Sequence, residues 1–247
     1  LYMPQQSIVL DEGMLAWGER LHFRVYNPSK ITKYGILVRI VCGSESGYIS
    51  NLKIYDATSI TLQNTVLQPL NPFLGHVYAV YMDNYYNSVT LTKTLYNNNT
   101  LVCGTIRQNR GLPRELKDHQ KQLKNGEMTF RREEEILLLT WVDKKPITMV
   151  STIHSAAMTE VPARFGKPKL KPVCIAGYNK YMHGVDNADQ YLALYPFIRK
   201  TVKWPKKVFF YLLQCTLFNC FHLFQKSNPS QNRLQYINFM KLLLLSC

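Results

Sequence analysis

The sequence predicts an α/β protein: a mixed five-stranded sheet flanked by helices and interrupted by a β-rich insertion. Three observations carry this. Short apolar runs separated by turn residues open the chain as hairpins, strand-like and helix-like segments then alternate, and a basic, strand-rich stretch from Gly111 to Leu170 breaks the alternation.

Taken in order, Ser7 to Asp11 is a short buried strand with Asp11 at its end. Gly35 to Cys42 and Gly47 to Asp56 are two more, joined by Gly43-Ser44-Glu45-Ser46, whose small and polar residues favour a turn. Ile60 to Leu67 suits a short helix. Val77 to Met82 is β-branched, aromatic and apolar, as a central strand covered on both faces requires. Ser88 to Tyr96 has helical spacing of Val89, Leu91 and Leu95 and stops in Asn97-Asn98-Asn99, and Leu101 to Ile106 is the next strand. Hairpin strands followed by alternating helices and strands give a ribonuclease-H-like sheet. Within the interruption, Arg114 to Lys124 is a basic helix, and Met128–Arg132, Ile136–Val142 and Thr148–Thr152 are strands, with Asp143-Lys144-Lys145-Pro146 turning between the last two. Pro162 to Pro172 is a linker. Helices are expected from about Gly184, from Pro205, where proline suits a first turn, and from about Arg233. The domain division expected is 1–106 for the first part of the core, 107–172 for the insertion and 173–247 for the helical completion.

The first 104 residues hold few acids, yet Asp11 and Asp83 close predicted strands, and Asp186 opens a predicted helix. Asp189, three residues on, shares a helix face with Asp186. Carboxylates on rigid elements far apart in sequence are what a two-metal phosphoryl-transfer site uses. Four converging carboxylates repel one another unless cations intervene, and all-oxygen ligands favour Mg²⁺ or Mn²⁺ over zinc. Taken singly, each aspartate also fits a solvated turn or a helix cap. Glu12 faces the other side of its strand.

The acids lie inside recognisable motifs. Asp11-Glu12-Gly13-Met14, Phe23-Arg24-Val25-Tyr26-Asn27-Pro28 and Lys33-Tyr34-Gly35-Ile36 come first. Tyr81-Met82-Asp83-Asn84-Tyr85-Tyr86-Asn87-Ser88 and Val102-Cys103-Gly104-Thr105-Ile106-Arg107 follow, then Tyr178 to Tyr191 and Arg199-Lys200-Thr201-Val202-Lys203-Trp204-Pro205. In this order, over about residues 7 to 226, they resemble the transposase domain of the piggyBac family. The resemblance implies a catalytic triad of Asp11, Asp83 and Asp186 with Asp189 as a fourth acid, two Mg²⁺ or Mn²⁺ ions, and DNA cleavage, hairpin formation and strand transfer at TTAA targets. It also implies a homodimer in the full-length protein and a nuclear location. No small-molecule substrate is expected.

Charge supports a nucleic-acid partner. Residues 1–104 hold 7 Lys and Arg against 6 Asp and Glu, whereas residues 105–247 hold 23 against 10. A basic half reads as a phosphate-facing surface. Arg199, Lys200, Lys203, Lys206 and Lys207 surround Trp204, and with Lys180, Arg107, Arg110 and Arg114 they are candidates to line the approach to the acids. Tyr85, Tyr86 and Tyr181 suit either base stacking or the core. The six cysteines form no CxxC pair, and Cys215, Cys220 and His222 lack a zinc spacing. Val208 to Phe224 carries no charged residue, but Gln214, Asn219 and His222 interrupt it, so a buried core helix is expected, not a membrane span.

Some features depart from the family pattern. Trp17-Gly18-Glu19-Arg20 stands where a basic stretch is usual, Ile31 where proline is common, and Leu37 where lysine is expected. The start at Leu1 reads as a piece of a longer product, without the flanking regions that recognise transposon ends in the family. Two readings stay open: a catalytic domain, and a domesticated or decayed copy that only binds DNA or partners. A nuclease of the same fold is a distant third.

Overall fold

The computed structural model describes residues 2–58, 60–162, 168–197, 201–229 and 234–245. Strand β1 (Ser7–Ala16) pairs antiparallel with β3 (Tyr34–Gly43) over its whole length, from Ile8 opposite Gly43 to Ala16 opposite Gly35. The outer edge of β3 is shared by β2 (Val25–Tyr26) and β4 (Ile49–Ile54). On its other side β1 pairs in parallel with β5 (Ala79–Met82), which pairs in parallel with β6 (Leu101–Thr105). The crossovers are α1 (Leu62–Leu70), begun by a cap from Thr61 Oγ1 to Asn64 N at 3.2 Å, and α2 (Val89–Asn97), begun by Ser88 Oγ accepting from Leu91 N at 3.1 Å.

The expected five strands are β1, β3, β4, β5 and β6, but among the described residues the sheet has nine. After α3 (Arg114–Gln120), the strands β7 (Met128–Glu133), β8 (Ile136–Val142) and β9 (Pro146–Ser151) form a meander, and β9 returns antiparallel beside β6. These strands extend the main sheet instead of forming their own, because the edge of β6 offers free backbone groups and the fully buried Ile136 to Trp141 run needs cover on both faces. The expected linker is partly a strand. Residues 163–167 lie outside the described residues, but β11 (Lys169–Pro172) pairs antiparallel with β10 (Met158–Val161).

Side-chain alternation divides the core. Ile8, Leu10, Val80 and Met82 pack with α1 and α2 on one face; Val9, Ile40, Cys42 and Tyr81 pack on the other with α4 (Val173–Tyr181), α5 (Gly184–Leu194) and α6 (Trp204–Ser227). Helix α4 was not foreseen. Its Tyr178-Asn179-Lys180 stretch is polar enough to mask the apolar Val173, Cys174 and Ile175 that bury it. Helix α6 is long and apolar enough to cross a membrane by length and composition. One face, with Val208, Tyr211, Cys215, Phe218 and Phe221, packs inward, while Phe209, Leu212, Leu213 and Leu223 remain exposed, so only one face behaves as the expected core helix. Helix α7 (Tyr236–Leu245) packs Tyr236 and Phe239 against Phe221 of α6.

Candidate functional site

The four aspartates converge at the carboxyl end of β5. The pairing of β1 with β5 stops at Leu10 opposite Met82, and the next residues are Asp11 and Asp83. Asp11 therefore does not end its strand as expected. It sits within β1, which runs on to Ala16 along β3, at the point where β5 stops beside it. Being odd-numbered, Asp11 shares the face of Val9, on which α5 packs, and α5 delivers Asp186 in its first turn and Asp189 one turn later.

Each carboxylate is held differently. Asp83 Oδ1 accepts the backbone N–H of Tyr85 at 2.8 Å, closing a tight turn. Asn87, fully buried, donates its amide Nδ2 to the carbonyls of Met82 at 2.9 Å, Asp83 at 3.1 Å and Thr105 at 3.0 Å, which ties that turn to β6. Gly104 makes room for this amide, since a Cβ there would lie 2.3 Å from Nδ2. Asp189 Oδ1 accepts the N–H of Met14 at 3.4 Å. Glu12 alternates to the opposite face of β1, where Tyr86 Oη donates to its Oε1. Yet its carboxyl also reaches Asp11 and adds to the rise that burial gives that group's pKa, by its charge and a side-chain hydrogen bond.

Part of the charge at the centre is offset by a residue outside the sequence-predicted set. Lys30 Nζ lies 3.3 Å from Asp186 Oδ1 and 3.6 Å from Asp11 Oδ2, with only 13% of its side chain exposed. Lys30 falls in the gap between two family-like motifs, Phe23–Pro28 and Lys33–Ile36. The signal available was one of only seven basic residues in the first 104, following Asn27-Pro28-Ser29 in a turn.

Electrostatics at the site reflect burial. Burial pushes the Asp11 carboxyl up to about 7, against the pull of Lys30 and with a further push from Glu12. Asp83 is raised by burial and by Asp11, with the Tyr85 N–H opposing. Asp189 is raised by burial, and Lys30 opposes that rise. For Lys30, burial acts against the charge, but Asp11, Asp186 and Asp189 outweigh it and lift its pKa above the ordinary lysine value. Burial is thus the main strain on these carboxylates, and a bound divalent cation would favour their charged forms.

The donor set fits a hard cation, being made of carboxylate oxygens on rigid elements. Among the described residues no three His, Cys, Asp or Glu side chains form a ready-made metal site. The ammonium of Lys30 stands between Asp11 and Asp186 instead.

The basic candidates divide. Arg107 lies beside the acids: its Nε donates to Asn84 Oδ1 at 3.0 Å, and its charge lowers the Asp83 pKa. Lys207 lines a cavity of about 170 Å³ together with Asp189, Tyr211 and Phe210. Lys203 and Lys206 are exposed at the start of α6, next to Trp204, whose ring meets Phe23 edge-on. Lys180 is exposed over the ring of Tyr181, with Glu45 acting on its charge. The Nε of Arg110 is buried, so that atom is turned inward. Arg199 and Lys200 lie outside the described residues. Of the tyrosines, Tyr86 is core, Tyr181 packs on Tyr81 at 5.1 Å, and Tyr85 is exposed beneath Arg107.

A family model described as transposase IS4 matches residues 1–221 of the chain. The human PiggyBac transposable element-derived protein 2 is 25% identical over 156 residues, which are 59% of this chain and 26% of that protein. A solved structure, the piggyBac transposase synaptic complex with hairpin DNA, superposes with a TM-score of 0.85 at 26% identity, covering 99% of this chain and 52% of that one. The chain belongs to the piggyBac transposase family. This piggyBac-family domain thus spans about half of the solved relative and about a quarter of the human one. Its sheet and flanking helices match that transposase along nearly their whole length.

Proposed function

We propose that this domain is the catalytic core of a metal-dependent DNA transposase, cutting phosphodiesters at transposon ends and joining the freed 3′-hydroxyl to target DNA. The observation that carries it is that Asp11, Asp83, Asp186 and Asp189 gather where the parallel pairing of β1 with β5 ends, with Asp11, Asp83 and Asp189 buried enough to raise their pKa values. Bound Mg²⁺ or Mn²⁺ would supply polarisation of the scissile phosphate and a more acidic attacking water. Asp11, Asp83 and Asp186 are the residues to hold a pair of such ions, with Asp189 as the fourth ligand. The Tyr85 N–H and Asn87 fix the aim of Asp83, and the Met14 N–H fixes Asp189. Arg107 stands beside Asp83, where a backbone phosphate would approach, and Lys203, Lys206 and Lys207 extend the basic path. A nuclear place of action and a homodimer of the full-length protein, both implied by the family resemblance, belong to this reading.

One observation favours a second reading, a silent DNA-binding module. Lys30 already compensates part of the acidic charge, so the cluster does not require a metal to be tolerated. The test is nicking of short duplex DNA by the purified chain with Mn²⁺ or Mg²⁺, beside an Asp83→Asn control, with DNA binding measured across a salt series. Metal-dependent nicking lost in the control supports catalysis. Salt-sensitive binding with no nicking under any metal supports the silent module.

A further inference from the structure

We infer that Lys30 is a built-in counter-ion that takes the place of a divalent cation between Asp11 and Asp186 and is displaced when one binds. The inference rests on the metal-dependent reading above and adds to it how the empty and loaded centres exchange.

Three features support it. The first is position. The ammonium bridges a carboxylate from β1 and one from α5, two elements that would otherwise repel each other across the site. Other ion pairs, such as Lys93–Glu133 and Arg131–Glu115, lie in solvent with every side chain at least 46% exposed, whereas Lys30 and Asp11 are 13% and 14% exposed; Asp186, at 48%, forms the open side of the bridge. A sheltered charge is costly to leave alone, so the carboxylates need a partner in the absence of metal.

The second is geometry. Contacts of 3.3 and 3.6 Å are longer than the roughly 2.7–2.9 Å of a tight ammonium–carboxylate bond, so the lysine is held by the field of several acids instead of by one good bond. A divalent ion takes carboxylate oxygens at roughly 2.1 Å and brings twice the charge, and the two cations cannot share the gap.

The third is the tether. Lys30 belongs to the loop 27–33 between β2 and β3, which closes on itself: Asn27 Oδ1 accepts from Ser29 N and Ser29 Oγ, and Asn27 N donates to Lys33 O at 2.8 Å. None of these bonds uses the Lys30 side chain. Its four-carbon stem can therefore swing outward without breaking any of the loop's own hydrogen bonds, at the cost of the two carboxylate contacts and of the packing that shelters it.

The test compares the wild-type chain with Lys30→Met, Lys30→Arg and Asp83→Asn. It uses calorimetric titration with Mn²⁺ and thermal melting in EDTA, with circular dichroism to check folding. Expected are a melting point for Lys30→Met in EDTA that is lower by about 2–4 °C, and Mn²⁺ binding about tenfold tighter than wild type, because no ammonium has to leave. Lys30→Arg should stay close to wild type. If Met at this position prevents folding, Lys30→Gln removes the charge while keeping a polar tip. Equal or weaker Mn²⁺ binding by the uncharged variant overturns the inference. Where wild-type binding still depends on Asp83, which Lys30 does not touch, the metal-dependent reading survives that failure. Absence of Mn²⁺ binding in wild type and variant alike overturns both.

Discussion

Replacing Asn87 by alanine should cost this domain about 2–3 kcal/mol and loosen Asp83 in the same step. The side chain has no exposure, and its two amide hydrogens serve three backbone carbonyls, those of Met82, Asp83 and Thr105, at 2.9 to 3.1 Å. Two hydrogens shared among three acceptors amount to about two full bonds. Stranding their acceptors without water costs about 1–3 kcal/mol each. Part of this returns, because Asn87 Oδ1 is itself buried without a partner and leaves with the side chain. Urea unfolding, followed by far-ultraviolet circular dichroism and by the fluorescence of the three tryptophans, measures the difference. A loss below about 1 kcal/mol would refute the claim that this amide ties the Asp83 turn to β6. Gly104→Ala supplies the companion test. Its Cβ would lie 1.9 Å from Met82 O and 2.3 Å from Asn87 Nδ2, so it must disturb the same contacts. The double variant should therefore lose clearly less than the two single losses added.

Three further outcomes follow from neighbouring contacts. Gly13→Ala would place a methyl 2.6 Å from Ile40 Cδ1 and 3.2 Å from Asp189 Oδ1; a loss of about 1–2 kcal/mol in urea and weaker Mn²⁺ binding are expected together. Gln214→Leu removes donors to Leu192 O at 2.6 Å and Tyr195 O at 2.8 Å, so the end of α5 should fray and about 2 kcal/mol be lost, visible as faster amide exchange there. Burial lowers the His222 pKa from 6.5 to about 4, so the fold holds it neutral while the unfolded chain takes up a proton between those values. Stability from this group is whole above pH 6.5 and declines as pH falls towards 4. His222→Leu should match wild type in thermal melts at pH 7.5 and exceed it by about 2 kcal/mol near pH 4.5, after allowance for partial solvent screening. The raised carboxyls of Asp11, Asp83 and Asp189 act in the opposite direction in both proteins, so the difference between the two curves isolates the histidine.

The acids were legible because each sits in a short motif whose flanks fix it to an element: Ile8-Val9-Leu10 before Asp11, Tyr78 to Met82 before Asp83, Gly184-Val185 before Asp186. Periodicity placed β3, β5, β6, β8, α2 and α5 to within about two residues at most boundaries for the same reason, since each buries a repeating apolar face. What stayed hidden depended on pairing across the chain. That β9 returns to β6 follows from a free strand edge, which no local pattern in Pro146–Ser151 records. That β1 continues past Asp11 follows from its antiparallel partner β3, because the apolar run Ile8-Val9-Leu10 stops at Asp11 and only the pairing of Glu12 with Arg39 and of Gly13 with Val38 carries the strand on. Lys30 was missed because a lysine in an Asn-Pro-Ser turn reads as solvent-facing, and only the tertiary fold turns its tip inward.

The unequal lengths of β1 and β5 explain why the site lies where it does. In sheets with parallel strands, the crevice beyond the strand carboxyl ends is where ligands gather, because neighbouring chains diverge there and leave backbone and side chains uncovered. Here β5 stops at Met82 while β1 runs on to Ala16, so one edge of β1 from Asp11 onward loses its parallel neighbour. Helix α5 packs against that length of β1 and brings Asp186 and Asp189 to it, and the Asp83 turn closes the gap from the β5 side. A β5 extended by two residues in register would set its backbone against the Asp11–Glu12 edge and carry Asp83 into the ladder, on the face set by alternation, instead of letting it turn. The tight turn at Asp83–Tyr85, and the Asn87 clamp that holds it to β6, are therefore as much a part of the acidic centre as the carboxylates themselves.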